Sequence, residues 1–215
     1  MVYLQVALDL TDLDKALRIA DEVIEGSADI VEVGTPLIKK YGILPIKLIK
    51  SNYPDVKVLA DTKTIDAGVT EANVVFKAGA DMMTVLGLAD DATLISALNV
   101  ARDFGKEVVV DLINVTRVVE RTLELYNSGL TSFCFHIGVD VQKARNVNVL
   151  TLLREVKKVK ESTSIRAFVA GGIKLEDVHY ITKASVDVIV VGSAIVRSPD
   201  PLDMTKKFKE ALKGV

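Results

Sequence analysis

The chain has 215 residues, of which 49% are hydrophobic and 26% are charged, and its formal net charge is -2. This length and composition suit one globular domain with a large core, and the lack of a basic excess argues against a nucleic-acid partner. No apolar run approaches the roughly 18 residues of a membrane span. Residues 2–8 already form a strand-like run, so neither a membrane partner nor a secretory signal is expected.

Short apolar runs alternate along the chain with amphipathic helical stretches. The runs are apolar nearly throughout, which is typical of parallel strands that are covered on both faces. The predicted strands are residues 2–8, 29–33, 56–60, 82–86, 107–112, 132–136, 165–170 and 186–191. The predicted helices are residues 12–25, 37–50, 68–78, 92–104, 117–128, 149–161, 175–184 and 201–212.

The alternation of strands and helices predicts a parallel sheet that closes on itself. The expected fold class is therefore α/β, a (β/α)8 TIM barrel, with residues 1–215 as a single domain. An open doubly wound sheet is the alternative, but such a sheet more often has about five or six strands and a glycine-rich loop after the first. The corresponding segment here reads Asp9-Leu10-Thr11-Asp12 and has no glycine, which favours the barrel.

The single cysteine, Cys134, lies between Phe133 and Phe135 in the sixth predicted strand. It excludes an intramolecular disulfide and favours a cytoplasmic location, where thiols stay reduced. Its neighbours predict a buried side chain, and a reactive thiol is the less favoured alternative.

Polar side chains end several of the apolar strands, and in a barrel these carboxyl ends converge on the face where active sites form. Each has an ordinary alternative as a helix cap, a core carboxylate or a structural histidine. Burying so many ionisable groups costs free energy unless they pair or bind an ion, so their coincidence predicts a functional site. The residues are Asp9, Glu32, Asp61, Lys63, Asp111 and His136.

Asp61, Lys63 and Asp66 form a charged set after the third predicted strand. Residues two apart on a strand share a face, so Asp61 and Lys63 are predicted to point into the barrel mouth together. Asp66 falls at the predicted start of the next helix, where a carboxylate complements the helix dipole. Such an Asp–Lys–Asp chain can keep an ammonium charged between two carboxylates, ready to stabilise an oxyanion or deliver a proton.

Two pairs of small residues follow the last two strands. Gly171-Gly172 follow the seventh strand, and Gly192-Ser193 follow the eighth beside a short helix. Backbone N–H groups exposed at these positions commonly bind phosphate in barrel enzymes. Two ordinary turns are the alternative, but together the pairs predict a phosphate-binding site.

These residues resemble those of a known superfamily. Residues 61–66, Asp-Thr-Lys-Thr-Ile-Asp, fit the D-x-K-x-x-D motif of the orotidine-monophosphate decarboxylase superfamily, and the similarity extends over essentially the whole chain. Within it the chain is most similar to the 3-hexulose-6-phosphate synthase family, and next to the 3-keto-gulonate-6-phosphate decarboxylases. The supporting segments are residues 4–9, 31–36, 58–61, 84–87, 110–113, 136–140 and 169–173.

Three positions distinguish these two families. Where the decarboxylases typically carry Glu, Arg and Thr, this chain has Asp111, Val139 and Ala170, as the synthases do. Orotidine-monophosphate decarboxylase itself is disfavoured, because it lacks the Glu of strand two and the His of strand six. The synthase pattern usually continues after Asp140 as Leu-Gln-Ala, whereas residues 141–146 here read Val-Gln-Lys-Ala-Arg-Asn. This divergent loop is expected to help close over the substrate.

The resemblance implies an aldehyde-lyase that condenses ribulose 5-phosphate with formaldehyde in an aldol reaction through an enediolate. It implies a Mg²⁺ cofactor held by Glu32 and Asp61, which would act as a Lewis acid on the enediolate. Lys63 would add positive charge near the same oxygens.

The resemblance also implies roles for the remaining charged residues. His136 is the expected base, since its ordinary pKa lies near working pH. Asp111 either orients His136 or binds a hydroxyl, and Asp9 either binds substrate hydroxyls or holds Lys63. Asp66 typically reaches the partner subunit's site in this superfamily, so a homodimer with active sites at the interface is expected.

Two other functions stay open at this point. The decarboxylases pass through the same enediolate, which then arises by loss of CO₂ instead of deprotonation. A non-catalytic barrel that only binds a phosphosugar is the alternative of another class. Asp61, Lys63, Asp66 and His136 argue against that alternative, because a binder does not need a charged proton-transfer set.

Overall fold

The chain forms a closed barrel of parallel strands in the computed structural model, which describes residues 2–213. The strands follow one another in chain order around the barrel, and the last pairs with the first. The predicted (β/α)8 TIM barrel is confirmed, and the open sheet is excluded. The strands are β1 Tyr3–Leu8, β2 Ile30–Val33, β3 Lys57–Thr64, β4 Met82–Leu86, β5 Glu107–Asp111, β6 Ser132–His136, β7 Arg166–Ala170 and β8 Val188–Val191.

Helices cover the outside of the barrel. None of those in the described part of the chain has the length and apolar character that crossing a membrane requires. The predicted domain, residues 1–215, also includes Met1, Gly214 and Val215, which lie outside the described residues. The helices are α1 Leu13–Glu25, α2 Thr35–Tyr41, α3 Leu44–Asn52, α4 Gly68–Lys77, α5 Asp91–Phe104, α6 Val118–Asn127, α7 Val139–Arg145, α8 Leu153–Lys160, α9 Val178–Thr182, α10 Ser193–Val196 and α11 Pro201–Lys213.

The apolar strands are buried on both faces, as the sequence predicts. One face packs against the helices in a large hydrophobic cluster, and the other fills the barrel interior with a smaller cluster that includes Leu59, Val109 and Phe168. Cys134 belongs to the interior cluster, so its predicted burial is confirmed.

The predicted helix over residues 37–50 is wrong, because two helices occupy this segment. Helix α2 ends at Gly42, whose φ of 60° and ψ of -136° turn the chain out of the helix. Helix α3 then begins with Pro45 in its first turn, where the missing N–H is not needed. Helix α7 lies in the segment 139–145, for which the sequence predicts no helix.

Acidic residues fix the end of the barrel opposite to the predicted site. Asp29, Asp81 and Asp187 each precede or start an even-numbered strand and accept a hydrogen bond from a backbone N–H of the preceding strand. Each also pairs with at least one lysine. This arrangement joins neighbouring strands at the amino-terminal end and leaves the carboxyl end free for polar side chains.

Candidate active site

The carboxyl ends of the strands open into a cavity of about 720 Å³. All but one of the residues predicted for the site line it, and Asp66 is the exception. The cavity therefore brings together groups that are spread over the whole chain. The lining members of the predicted set are Asp9, Glu32, Asp61, Lys63, Asp111, His136, Gly171, Gly172, Gly192 and Ser193.

Three carboxylates gather where β1, β2 and β3 end. Oxygens of Asp9, Glu32 and Asp61 all lie within 4.8 Å of one another. Burial raises the pKa of Glu32 well above its usual range, and the charges of Asp61 and Asp9 raise it further. Burial and the charge of Asp61 likewise raise the pKa of Asp9. Such a cluster is electrostatically unfavourable alone and would be stabilised by a cation, and its all-oxygen donors suit Mg²⁺.

Asp61 is held in place by hydrogen bonds that the sequence does not reveal. Thr35 Oγ1 donates to Asp61 Oδ2 at 2.5 Å, and Thr84 Oγ1 donates to Asp61 Oδ1 at 2.8 Å. Both threonines line the cavity, and Thr84 lies on β4 across from β3. Thr35 begins α2 two residues after the end of β2. That position near a strand end is the sequence signal that could have indicated Thr35.

Lys63 lies between two carboxylates, but the second is not the predicted one. Its Nζ is 3.1 Å from Asp61 Oδ1 and 2.6 Å from Asp111 Oδ2. Burial alone would lower the pKa of Lys63, but the charges of Asp111 and Asp61 outweigh burial and raise that pKa. Lys63 therefore stays an ammonium in the site. Within one chain, the two carboxylates on Lys63 are Asp61 and Asp111, and Asp66 is not one of them.

Asp66 lies outside the cavity. It is exposed in the loop between β3 and α4, and α4 begins at Gly68 as predicted, so Asp66 lies two residues before the helix and not at its start. Ala67 immediately before the helix has a left-handed backbone with a φ of 54°, so Asp66 precedes the first helical turn. The acidic residue in the first turn of α4 is Glu71.

A backbone irregularity places the Lys63 side chain. The pairing of β3 with β4 shifts between Ala60 and Thr64, and Lys63 has a φ of 48°. The Lys63 N–H donates to Thr84 Oγ1 at 2.9 Å. Simple alternation along a regular strand is therefore not what brings Asp61 and Lys63 together. A bulge at the barrel rim redirects the lysine, as bulges next to functional sites commonly do.

His136 and Asp111 form a pair on the opposite wall. His136 Nδ1 lies 3.0 Å and 3.1 Å from the two oxygens of Asp111. Burial alone would raise the pKa of Asp111, but His136 and Lys63 outweigh burial and lower it. The N–H of Ile113 also donates to Asp111 Oδ1 at 3.0 Å. Both Asp111 oxygens are thus engaged within the protein, so the geometry favours orientation of His136 over binding of a hydroxyl.

The glycine pairs form the wall between β7 and β8. Gly171 and Gly172 have positive φ of 124° and 70°, and a Cβ on Gly171 would lie 2.6 Å from the carbonyl oxygen of Ile137. Only glycine fits that approach without strain. Three basic residues that the sequence analysis misses line the same cavity, and none of them pairs with a carboxylate within residues 2–213: Lys39, Lys143 and Arg197. Arg197 follows Gly192-Ser193 by four residues, and that proximity was the available signal.

Known proteins match this chain in sequence and in structure. Residues 2–208 match the family described as Orotidine 5'-phosphate decarboxylase / HUMPS family. The chain belongs to this family. A 3-hexulose-6-phosphate synthase from Mycobacterium gastri is 40% identical over 209 residues, which are 97% of this chain and 99% of the relative. The predicted resemblance to the 3-hexulose-6-phosphate synthase family is confirmed.

Solved structures of family members have the same fold. The 3-hexulose-6-phosphate synthase from Salmonella typhimurium superposes with a TM-score of 0.94 at 38% identity, covering 99% of both chains. The 3-keto-L-gulonate-6-phosphate decarboxylase from Vibrio cholerae superposes with a TM-score of 0.87 at 25% identity, covering 99% of this chain and 98% of the other. The synthase is thus the more similar of these two.

The three positions that the sequence analysis uses to distinguish synthases from decarboxylases all lie at the cavity. Asp111, Val139 and Ala170 line it, so each is placed to contact a bound ligand. The divergent segment 141–146 forms most of α7 and also borders the cavity, through Gln142 and Lys143. Gln142 Nε2 donates to the carbonyl oxygen of Ile137 at 2.7 Å, which holds this helix against the rim.

Proposed function

We propose that this chain catalyses the 3-hexulose-6-phosphate synthase reaction, the aldol condensation of ribulose 5-phosphate with formaldehyde. The observation that carries the proposal is the set of a paired histidine, a charged lysine and three clustered carboxylates in one cavity. A base removes a C1 proton of the ketose, C1 of the resulting enediolate attacks the formaldehyde carbon, and the new alkoxide takes a proton. The product is hex-3-ulose 6-phosphate.

His136 is proposed to move the C1 proton. Its Nδ1 is occupied by Asp111, so Nε2 is the nitrogen left to exchange a proton with a ligand. Asp111 holds the ring orientation and stabilises the protonated imidazole by its negative charge. Lys63, held as an ammonium, stabilises negative charge that develops on the substrate oxygens.

The carboxylates of Asp9, Glu32 and Asp61 are proposed to hold Mg²⁺. Their oxygen donors, their mutual proximity and the raised pKa of Glu32 and Asp9 support this assignment. When bound, the ion would supply Lewis-acid stabilisation of the charge on the enediolate. The family resemblance implies Glu32 and Asp61 as ligands, and the proximity of Asp9 supports it as a third.

The phosphate group is proposed to lie at the wall between β7 and β8. Backbone N–H groups of Gly172, Gly192 and Ser193 are available there, and Arg197 and Lys143 add positive charge. The acidic floor and the basic rim would orient the substrate with its phosphate outward and its reacting carbons inward. This orientation brings C1 toward His136.

We also propose that the protein works as a homodimer with Asp66 reaching the partner subunit's cavity. Ile65 and Val69 flank Asp66 and are 52% and 51% exposed. A contiguous exposed apolar patch rimmed by polar residues is typical of an interface, and these two side chains would contribute to such a patch. The buried free thiol of Cys134 supports a reducing, cytoplasmic location.

The first experiment follows deuterium uptake from solvent at C1 of ribulose 5-phosphate by NMR. We expect exchange with Mg²⁺, loss of exchange with a chelator, and conversion to hexulose phosphate when formaldehyde is added. Absence of exchange would contradict the proposed synthase activity. 3-Keto-gulonate 6-phosphate would then be tested, and turnover would assign the decarboxylase reaction, whereas sugar-phosphate binding without any turnover would assign a binding protein.

A further inference from the structure

Gln5 lies on β1 at the floor of the cavity, four residues before Asp9, and is only 2% exposed. Its amide nitrogen Nε2 donates to Glu32 Oε2 at 2.6 Å. This orientation suits a Glu32 that holds a cation, because an ionised carboxylate can only accept hydrogen bonds. In this orientation the amide oxygen faces away from Glu32.

That amide oxygen, Oε1, is buried and has no hydrogen-bond partner among residues 2–213. The other buried side-chain atom in this state within the described chain is Oε2 of Glu155, which does not line the cavity. A buried acceptor without a donor is unfavourable, and in native proteins such atoms commonly meet ordered water or a ligand. Gln5 Oε1 therefore marks a place for a donor group at the cavity floor.

The orientation of Glu32 depends on this one contact. The hydrogen bond from Gln5 is the single protein hydrogen bond to the Glu32 side chain in the described part of the chain. Asp61, by contrast, accepts hydrogen bonds from two threonines and a lysine. Loss of the Gln5 amide would free the Glu32 carboxylate to rotate, whereas Asp61 would keep its place.

We propose that Gln5 is a positioning residue of the cation site. Through Nε2 it aims the Glu32 carboxylate at the acidic cluster, and through Oε1 it accepts a hydrogen bond from a water or a sugar hydroxyl. This inference rests on the proposed function, because it requires that Asp9, Glu32 and Asp61 bind a divalent cation. Removing a group that orients a metal ligand commonly weakens metal binding by about 10- to 100-fold.

Mn²⁺ binding to the full-length protein, measured by calorimetry without substrate, tests the positioning role. Gln5→Met has nearly the same volume but lacks both amide atoms, and we expect its Mn²⁺ affinity to fall by about 10-fold or more. Met82→Leu is the matched control, since Met82 is a buried residue of the same interior cluster outside the cavity lining. It should bind Mn²⁺ like the unaltered protein. Gln5→Leu replaces Gln5→Met if thermal unfolding shows that the methionine variant does not fold.

A folded Gln5→Met variant with unchanged Mn²⁺ affinity would overturn the positioning role and leave the proposed function standing. Failure of the unaltered protein to bind Mn²⁺ would contradict the proposed cation site itself. Crystal structures with and without ribulose 5-phosphate test the acceptor. We expect a water within hydrogen-bond distance of Oε1 without the sugar, and a water or a sugar hydroxyl there with it. An unpartnered Oε1 in both structures would overturn the acceptor role.

Discussion

At the scale of single residues, Asp111 organises the catalytic wall of the cavity. It is 1% exposed and accepts hydrogen bonds from Lys63 and from the Ile113 N–H, while His136 Nδ1 lies within 3.1 Å of it. A buried carboxylate is tolerated only with such partners, and removing one partner leaves an uncompensated charge. Lys63 and His136 are therefore held as one unit through Asp111.

Replacing His136 with alanine tests its role as the base. We expect His136→Ala to lower C1 proton exchange by roughly 100- to 10,000-fold, because a positioned general base contributes about that much. Mg²⁺ and ribulose 5-phosphate should still bind, which calorimetry checks. His179→Ala is the control, since this second histidine lies on α9 beside Lys183 and does not line the cavity. Exchange at the unaltered rate in His136→Ala would remove His136 from this role.

The sequence predicts the residues of this site better than it predicts their contacts. Polar side chains that end apolar strands stand out, so Lys63 and His136 are found without a structure. Pairs are harder, because local spacing suggests Asp66 as the second partner of Lys63, whereas the partner within the same chain, Asp111, is 48 positions away. Thr35 and Thr84 are missed because a neutral hydroxyl near a strand end is a weaker signal than a charged side chain.

At the scale of elements, the amino-terminal ends of the strands depend on buried acids. Asp81 Oδ2 accepts from the Val58 N–H at 3.0 Å and from Lys50 Nζ at 3.1 Å, and Lys106 Nζ donates to Asp81 Oδ1 at 2.7 Å. One carboxylate thus joins β3, the end of α3 and the start of β5. Burial alone would raise the pKa of Asp81, but these hydrogen bonds outweigh burial and lower it.

Asp81→Asn is therefore expected to destabilise the fold in a pH-dependent way. Because the folded-state pKa of Asp81 lies below its unfolded value, its stabilisation is present above about pH 4 and is lost as pH falls through the folded pKa. At about pH 7 the variant should lose about 1–3 kcal/mol in free energy of unfolding, measured by urea denaturation. The difference should shrink at about pH 3. Asp55 is an exposed turn residue without an ion pair within residues 2–213, so Asp55→Asn is the control and should leave the free energy of unfolding unchanged. Equal losses of stability in both variants would contradict the stabilising role of Asp81.

The succession of elements is predictable where local patterns decide it and unpredictable where backbone turns do. Eight apolar runs separated by helical stretches predict the barrel, since parallel strands buried on both faces have few other arrangements. The break between α2 and α3 depends on the unusual backbone of Gly42, which the helical pattern of residues 37–50 hides. The bulge at Lys63 is not predictable either, because it depends on a backbone conformation that the pattern of apolar residues does not indicate.

At the scale of the whole molecule, charge is separated across the cavity although the net charge is only -2. Acidic groups such as Glu32 and Asp61 lie at the strand ends, whereas Lys143 on α7 and Arg197 at the end of α10 lie toward the rim. A phosphosugar would match this charge distribution in one orientation, with its phosphate near the basic residues at the rim and its other end near the carboxylates. Asp66 is the predicted site residue that does not line this cavity, and the proposed dimer would give it a role in the partner subunit.

Mixing two inactive variants tests whether the active site is shared between subunits. In a dimer of Asp66→Ala and His136→Ala chains, one cavity combines both defects and the other has none. After random exchange of subunits, about one quarter of the unaltered activity should return, because half of the dimers are mixed and half of their sites are intact.

The control mixes Lys63→Ala with His136→Ala. Lys63 and His136 line the same cavity of one chain, so no site becomes intact and no activity should return. Sedimentation should show a dimer, and a monomer with full activity, or a verified mixed dimer of the first pair without recovery, would contradict the shared site.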